Sequence, residues 1–508
     1  MLDLVIVGCG PVGAMAANLA ARAGLTAAVL DRAPDVFDLP RAIHFDAHIM
    51  RILQQVGLAR EMLPDLRVWR RSTFYGVDGD PIRVHDWPTD RPYGWDPHYL
   101  FYQPYLETVL RSALERSDLV DLRLGVEVVG VEQTDDQVCV TVRDLRTGES
   151  GRLSARYLIG ADGAASFVRG SAGIRLVDGD FNEPWLVVDV RCARELGRPN
   201  ESEMFCDPTR PATRVPGPGD HHRWEFMLLP GETAAHMQHP KSVRALIAPW
   251  VGTDEVEIIR ASVYRFHSLI ARNWRHGRVF LAGDAAHQTP PFLGQGLCHG
   301  IRDVHNLVTK LAAVRAGGPA ELLLDSYEAE RRPHVERIIG MSVAAGREIC
   351  MLDPVEARKR DVRLRRAAIT GEQPRTTFQG MPPLAGGLFS VTPGAGELFP
   401  QPSLVDQDGR RRMFDDATAP EVVVVARSEA VPEIKPCADQ LGTTIVAVGD
   451  PVAGALFTRD AAVGDWFGQH GARFAVVRPD RYVHGTTASV AEAMAMLLTV
   501  CGNFPRPD

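Results

Sequence analysis

The run Gly283-Asp284-Ala285-Ala286-His287-Gln288-Thr289-Pro290-Pro291-Phe292-Leu293-Gly294-Gln295-Gly296-Leu297-Cys298 decides how this chain is read, because it joins an acidic turn, a glycine-rich loop and a helix start. The apolar residues Val279-Phe280-Leu281-Ala282 lead into it, so a strand is expected to end at Gly283-Asp284. A carboxylate at such a strand end can accept hydrogen bonds from polyol hydroxyls. Gly294, Gln295 and Gly296 then open a helix at about Leu297, whose free N–H groups and partial positive charge favour an anion. A flavin suits both features: its ribityl chain would meet Asp284 and its pyrimidine ring the helix start. Gly283, Asp284, Pro291, Gly296, Leu297 and Cys298 are therefore candidate cofactor contacts. Gly294, Gln295 and Gly296 are candidate catalytic groups, since the helix end would stabilise negative charge on reduced flavin.

Working outward, the N-terminus supplies the other half of a nucleotide site. Asp3 to Val7 reads as a strand, Gly8 to Gly13 as a tight turn, Ala14 to Ala23 as a helix and Ala27 to Leu30 as a second strand. The spacing Gly8-x-Gly10-x-x-Gly13 gives a tight turn, close backbone approach to a pyrophosphate and close helix packing, and Asp31 ends the second strand where it can bond a ribose. Pro11 within the turn and Arg32 beside Asp31 complete this set. Cys9 reads as a small space-filler. A third turn, Gly160-Ala161-Asp162-Gly163, follows the strand-like Tyr157-Leu158-Ile159.

Composition bounds the rest. The chain has 508 residues, 45% of them hydrophobic and 24% charged, enough for two or three domains with sizeable cores. A formal net charge of -8 argues against nucleic acid as the partner. Only Lys241, Lys310, Lys359 and Lys435 are lysines, so an arginine needs a motif around it to count. The eight cysteines form no CxxC and no Cys/His cluster, so reduced thiols and no metal are expected. No apolar run reaches the ~18 residues of a membrane span and no basic leader precedes the first strand, so a cytoplasmic location is expected.

The chain is expected to fold as an α/β protein with a discontinuous Rossmann-like domain over 1–180 and 271–345. Longer alternating strands over 181–270, such as Trp185 to Arg191, Arg223 to Leu229 and Val256 to Tyr264, suggest an inserted antiparallel sheet facing the substrate. Residues 305–350 read as a long helical stretch interrupted at Gly317-Gly318-Pro319 and at Pro333. The 346–402 region is helical and then linker-like, with 372–402 rich in Gly, Pro and Thr. Strand-like Glu421 to Ala426, Thr443 to Val448 and Arg473 to Val477, alternating with helical segments, suggest a C-terminal domain over 403–508 in the order of a thioredoxin-like fold. It lacks CxxC and is read as a structural or a dimerisation element, which leaves a homodimer open.

The three ordered glycine-acid turns resemble those of class A flavoprotein monooxygenases, the family with the p-hydroxybenzoate hydroxylase fold. The resemblance covers roughly residues 1–345 and includes Pro40-Arg41, Gln103-Pro104-Tyr105-Leu106-Glu107 and Asp325-Ser326-Tyr327-Glu328-Ala329-Glu330-Arg331-Arg332-Pro333. Phe226 to Glu232, Gly300-Ile301-Arg302-Asp303 and the C-terminal tail are most similar to 3-(3-hydroxyphenyl)propionate hydroxylases and related phenol hydroxylases. The resemblance implies non-covalent FAD, with Arg41 and Gln103 touching it, Asp162 and Gly163 lying toward the nicotinamide route and Asp284 holding the ribityl chain. It implies NADPH or NADH as transient reductant, dioxygen as co-substrate and a flavin C4a-hydroperoxide that hydroxylates a phenol. Relatives commonly carry Met-Asn where this chain has Leu297-Cys298, so contacts there would rest on backbone groups, and Glu where it has Asp31. Tyr327 and Arg331 are expected to lock helix to sheet.

For the substrate side, Trp224 and Phe226 share one strand face and are candidate pocket residues as well as candidate core, like Trp185. His44 follows Arg41 and is a further catalytic candidate; His287 and His299 could relay protons. Two other functions fit the same motifs: a hydroxylase tailoring a polycyclic polyketide, and an FAD-binding protein that acts only as an NAD(P)H oxidase or non-catalytic subunit.

Overall fold

The computed structural model describes residues 1–192, 201–251, 256–371 and 381–506. Parts of the expected inserted sheet (193–200, 252–255), of the linker (372–380) and of the C-terminal end (507–508) lie outside the described residues.

Leu4 to Val7 are buried without alternation, as a strand covered on both faces requires. Leu2–Val7 pairs in parallel with Ala27–Asp31 and with Ser150–Gly160, and the sheet continues through Val279–Leu281 and Val120–Leu124. The helix Pro11–Arg22 starts on a proline whose missing N–H costs nothing there. A β-carbon at Gly13 would lie 1.9 Å from the Gly8 carbonyl oxygen, and one at Gly8, where φ is +98°, 2.4 Å from that of Ala161. Glycine alone lets the first turn pack under the Gly160–Asp162 turn.

A second sheet is built on two long antiparallel strands, Leu176–Arg191 and Glu257–Ala271. His221–Met227, Ala212–Pro216 and Ser202–Phe205 extend it. Its far edge comes from Arg71–Tyr75 and Pro81–Asp86, the first of which pairs in parallel with Ser202–Phe205. Those edge strands lie within the stretch that the sequence grouped with the nucleotide half, because they are short and weakly patterned. Period-two alternation divides the faces. Leu186, Val188, Trp224 and Phe226 pack with Met237, Val243 and Ile247 of the helices Ala234–Met237 and Pro240–Ile247, while Val187, Arg223 and Glu225 turn the other way.

The glycine-rich loop opens the helix Gly296–Arg315. The chain breaks at Gly317-Gly318-Pro319, with Gly317 at φ +97°, and resumes as Ala320–Ile349. The interruption expected at Pro333 does not occur, since Pro333 lies inside that helix. A proline removes a single backbone bond, and side-chain bonds clamp the helix on its N-terminal side: Tyr327 donates to the Leu281 carbonyl at 2.7 Å and Arg331 to Asp303 at 3.0 Å. Tyr327 thus locks helix to sheet as expected, whereas Arg331 locks the helix to the neighbouring helix Gly296–Arg315. A further helix, Pro354–Thr370, occupies the part of 346–402 that precedes the segment read as linker.

The C-terminal sheet orders its strands Arg411–Met413, Ser403–Val405, Leu456–Thr458, Thr444–Val448, Val423–Arg427, Phe474–Val477 and Val483–Thr487. It is tied to the N-terminal half by buried charge. Arg51 donates to Asp415 at 2.7 and 2.9 Å, and Arg478 and Lys310 both bond Glu330.

Asp303 connects the parts that shape the site. Its carboxylate accepts from Gly283 N at 3.2 Å, His287 Nε2 at 2.6 Å and Arg331 Nε at 3.0 Å, with all three side chains fully buried. Burial pushes the carboxyl pKa up, but His287 and Arg331 outweigh it and hold it below the usual range. Asp303→Ala leaves the Arg331 cation buried without its partner and should destabilise the fold by about 3–5 kcal/mol. Urea unfolding tests this; a midpoint equal to the parent's would refute the assigned role.

Candidate active site

One cavity of 570 Å³ runs from the first glycine turn to the face of the second sheet. Gly10, Pro11, Arg41, Gln103, Gly163, Asp284, Pro291, Gln295, Gly296 and Leu297 line one end; His44, Trp69, His85, Trp87, His98, Glu225, Tyr264 and Phe266 line the other. The structure thus brings together most of the residues singled out from sequence, from five separate segments.

At the first end the backbone is left bare. A β-carbon at Gly10, Gly163 or Gly296 would meet nothing within 4 Å, so the main chain faces open space at all three. Both long helices that begin here, at Pro11 and at Gly296, lack a side-chain cap, so their first N–H groups are available to an anionic or carbonyl-bearing group. Thr289 Oγ1, on the cavity lining, and Asp162 Oδ1, next to the lining residue Gly163, are buried without a hydrogen-bond partner among the described residues. Asp284 opens onto the cavity, yet burial raises its carboxyl pKa, with His287 and Arg41 pulling it back. Open glycine cradles, two uncapped helix starts and a desolvated acid fit a dinucleotide carrying a polyol and an anionic ring.

Other residues of the predicted set act on the chain itself. Asp31 accepts from Cys9 N at 2.6 Å and Ala33 N at 2.8 Å, so it shapes the turn. Gln103 is buried; its Oε1 accepts from Arg41 N and Ala42 N, and its Nε2 donates to Glu107. The Arg41 carbonyl in turn accepts from Arg223 at 2.7 Å, which ties the Pro40-Arg41 loop to the second sheet. Arg32 is exposed and Asp162 accepts from Val168 N; neither lines the cavity. Gly8, Gly13 and Gly283 act through close packing. A β-carbon at Gly283, at φ +61°, would meet the Val12 side chain at 3.1 Å. Burial pushes the Cys9 thiol up to about 12 and raises that of Cys298, so both stay protonated space-fillers.

At the second end, Trp224 and Phe226 are core on the far side of the sheet and do not line the cavity. As pocket candidates they are corrected by their strand neighbours Arg223 and Glu225, which alternation turns inward. Asp189, fully buried, gathers His221 at 2.8 Å, Arg223 at 2.9 Å and Arg260 at 2.7 Å. Trp185 stacks on Phe266 behind the wall. His287 and His299 belong to the Asp303 network and do not line the cavity.

The sequence reading missed an aromatic and imidazole wall contributed by residues 69–98. Trp69 and His98 flank His44, whose ring centroid lies 4.9 Å from that of Trp69 and 5.1 Å from that of His98, and Trp87 packs on His98 in turn. The alternation of His85 and Trp87 was the available signal. Burial lowers the pKa of His44 to about 4 and of His98 to about 3; the neighbouring Arg302 also lowers them, while Asp46 opposes it. Asp46, despite burial, is held below the usual carboxyl range by Arg302.

These shifts have a consequence for stability. Burial also sets His85, His222 and His305 at about 4. As pH falls through about 6.5 the unfolded chain protonates its histidines while the folded chain does not, so stability falls from there down to about pH 4. Carboxylates such as Asp46, Asp303 and Asp415, with pKa values lowered in the fold, add their loss only at more acidic pH. The urea midpoint should therefore be lower at about pH 5 than at about pH 7; equal midpoints would mean that these histidines are protonated in the fold.

Comparison with known proteins agrees with this layout. A family described as "FAD binding domain" matches residues 1–342, and one described as "HcaD C-terminal domain" matches 396–500. The chain is 36% identical to a probable NADH-specific resorcinol 4-hydroxylase of Rhodococcus jostii, covering 97% of this chain and 93% of that one. It is 35% identical to a 3-(3-hydroxy-phenyl)propionate/3-hydroxycinnamic acid hydroxylase of Burkholderia cenocepacia, covering 97% and 95%. Among solved structures, the flavin-dependent monooxygenase PieE with FAD and substrate superposes with a TM-score of 0.82 at 22% identity, covering 100% of this chain and 99% of that one. The anhydrotetracycline hydroxylase OxyS of Streptomyces rimosus superposes with a TM-score of 0.77 at 26% identity, covering 100% of both.

Proposed function

This chain belongs to the class A FAD-dependent aromatic monooxygenases, and from that premise we propose that it hydroxylates a single-ring phenol at the expense of NADH or NADPH and dioxygen. The observation that carries this reading is the continuity of the cavity, bare backbone at one end and an aromatic, imidazole-bearing wall at the other. When bound, FAD supplies the redox chemistry and the activation of dioxygen. Gly10, Gly163, Asp284 and Gly296 would hold it, with Gly283 and Gly13 letting the chain pack closely behind.

The protein's own contribution is electrostatic and steric. The uncapped start of the Gly296–Arg315 helix favours negative charge on the ring it faces, worth about 0.3–2 kcal/mol by the usual range for such ends. Phe266, Phe292, Leu293 and Ile349 give an apolar lining that excludes water from the reacting atoms. Arg223 and Arg260 pair with Asp189 and have Glu225 beside them, and Arg83 lies 3.6 Å from Glu348, so each of these three cations already has an acidic neighbour. That pairing favours an uncharged phenol such as resorcinol. A phenylpropionate is the second reading, supported by the relatives so named and by Arg265 at the exposed end of the cavity, where a propionate tail would find a cation. A polycyclic polyketide is the third reading, supported by the fold shared with the anhydrotetracycline hydroxylase OxyS.

The C-terminal domain is read as thioredoxin-like. Its supporting feature is the order Thr444–Val448, Val423–Arg427, Phe474–Val477, Val483–Thr487, with a parallel first pair and antiparallel later ones. Without a dithiol its role is structural, bracing the N-terminal half through Asp415 and Arg478. The eight free cysteines and the need for reduced nicotinamide support a cytoplasmic location.

FAD-loaded protein should oxidise NADH or NADPH faster with resorcinol than without it and yield a product heavier by one oxygen atom. Oxidation stimulated only by 3-(3-hydroxyphenyl)propionate would move the assignment to the second reading. Oxidation that no phenol stimulates, with hydrogen peroxide as the sole product, would refute hydroxylation.

A further inference from the structure

We propose that His98 receives the hydroxyl proton of the bound phenol, with His44 behind it as a relay. This rests on the phenol hydroxylase reading above. His98 lies on the strand His98–Leu100, antiparallel to His44–Asp46, so both imidazoles come from adjoining strands beside the glycine-rich loop.

Hydrogen bonding fixes the protons on both rings. The Gly294 carbonyl can only accept, so the contact at 3.2 Å places a proton on His44 Nδ1. Neutral His44 then has a lone pair on Nε2, and His98 Nδ1, 2.9 Å away, must be the donor. This leaves His98 Nε2 as an unprotonated acceptor with no hydrogen bond to the described residues, on a ring only 7% exposed that lines the cavity. Trp87 packs against His98 at 4.1 Å between centroids and Trp69 at 5.8 Å, while His85 stacks on the other side of Trp87. All four rings line the cavity and give a flat aromatic an apolar wall to lie against, with its hydroxyl directed to Nε2. The charged groups facing the pair are Asp46 and Arg302, which bond each other and so leave the two imidazoles nearly uncharged surroundings.

A weak base suffices for this step. As a ring carbon accepts an electrophilic oxygen, the phenol oxygen donates its electron pair into the ring and its O–H becomes strongly acidic. The donated pair forms the C=O bond, the O–H bond breaks with its own pair left on the carbonyl oxygen, and the proton passes to His98 Nε2 while the Nδ1 proton moves to His44 Nε2. The oxygenated carbon then loses a proton, its C–H electron pair restores the aromatic ring, and the proton held by the histidine pair returns along the same path to the former phenol oxygen.

Two substitutions separate proton acceptance from simple contact. His98→Gln keeps an acceptor oxygen but cannot take up a proton; His98→Ala removes both functions. In FAD-loaded protein, titration of resorcinol followed by the flavin absorbance should show binding weakened about tenfold in His98→Ala, as expected for one lost hydrogen bond, and within a few-fold of the parent in His98→Gln. Binding of 1,3-dimethoxybenzene, which has no hydroxyl, should be the same in all three. Product formed per NADH consumed should fall by about a hundredfold or more in His98→Gln, the size of a lost general base. A His98→Gln protein that couples as well as the parent, or a His98→Ala protein that binds resorcinol equally tightly, would overturn the proposal. A parent enzyme that hydroxylates no single-ring phenol would instead overturn the function on which it rests.

Discussion

A buried carboxylate, Asp303, is the constraint on which the site depends. It sits in the helix that begins at the glycine-rich loop, and it bonds the backbone of Gly283, the imidazole of His287 and the guanidinium of Arg331. The acidic turn, the helix start and the long C-terminal-side helix are thereby held in one arrangement. An ion pair in such surroundings contributes little net stability over an apolar replacement, but losing either partner is costly, so the arrangement is specified more than it is stabilised. The close approach of Gly300 to Val12 and to Gly283 has the same effect, since a β-carbon at Gly300 would come within 2.5 Å of Val12. The two helix starts therefore open on one cavity with little freedom to separate.

Around that frame the cavity divides its labour. The glycine turns and uncapped helices present backbone, which suits a large cofactor bearing phosphate, polyol and anionic ring. The second sheet presents side chains, and the charges of Arg223 and Arg260 are met within the wall by Asp189 and Glu225. The Arg223 guanidinium also bonds the carbonyls of Pro40 and Arg41, so the substrate face and the cofactor loop share a fastening. Change on one side is felt on the other through that residue.

How much of this was legible in the sequence follows from the range of the forces involved. The glycine turns, the strand that precedes each and the helix that follows are written in local patterns, and the first strand, first helix and the helix at Gly296 fall within a few residues of their expected bounds. The break at Gly317-Gly318-Pro319 was legible for the same reason, whereas Pro333 was misread because side-chain bonds from Tyr327 and Arg331 outweigh a local rule. Which face of a strand meets the cavity is not local. Trp224 and Phe226 share a face by alternation, but only the helices packed above them decide that this face is core. The His98 and Trp87 wall escaped notice because it forms where short strands from residues 67–100 meet the glycine-rich loop, a pairing no nearby residue announces.

The central claim is that this one cavity passes an oxygen atom from dioxygen to a phenol. The measurement that tests it most directly is the mass of the product formed by FAD-loaded protein, NADH and resorcinol under dioxygen labelled with oxygen-18. The account predicts one labelled oxygen in the ring product for each NADH consumed when coupling is tight. A product without label, or NADH consumption in which all the label is recovered as hydrogen peroxide, would contradict it.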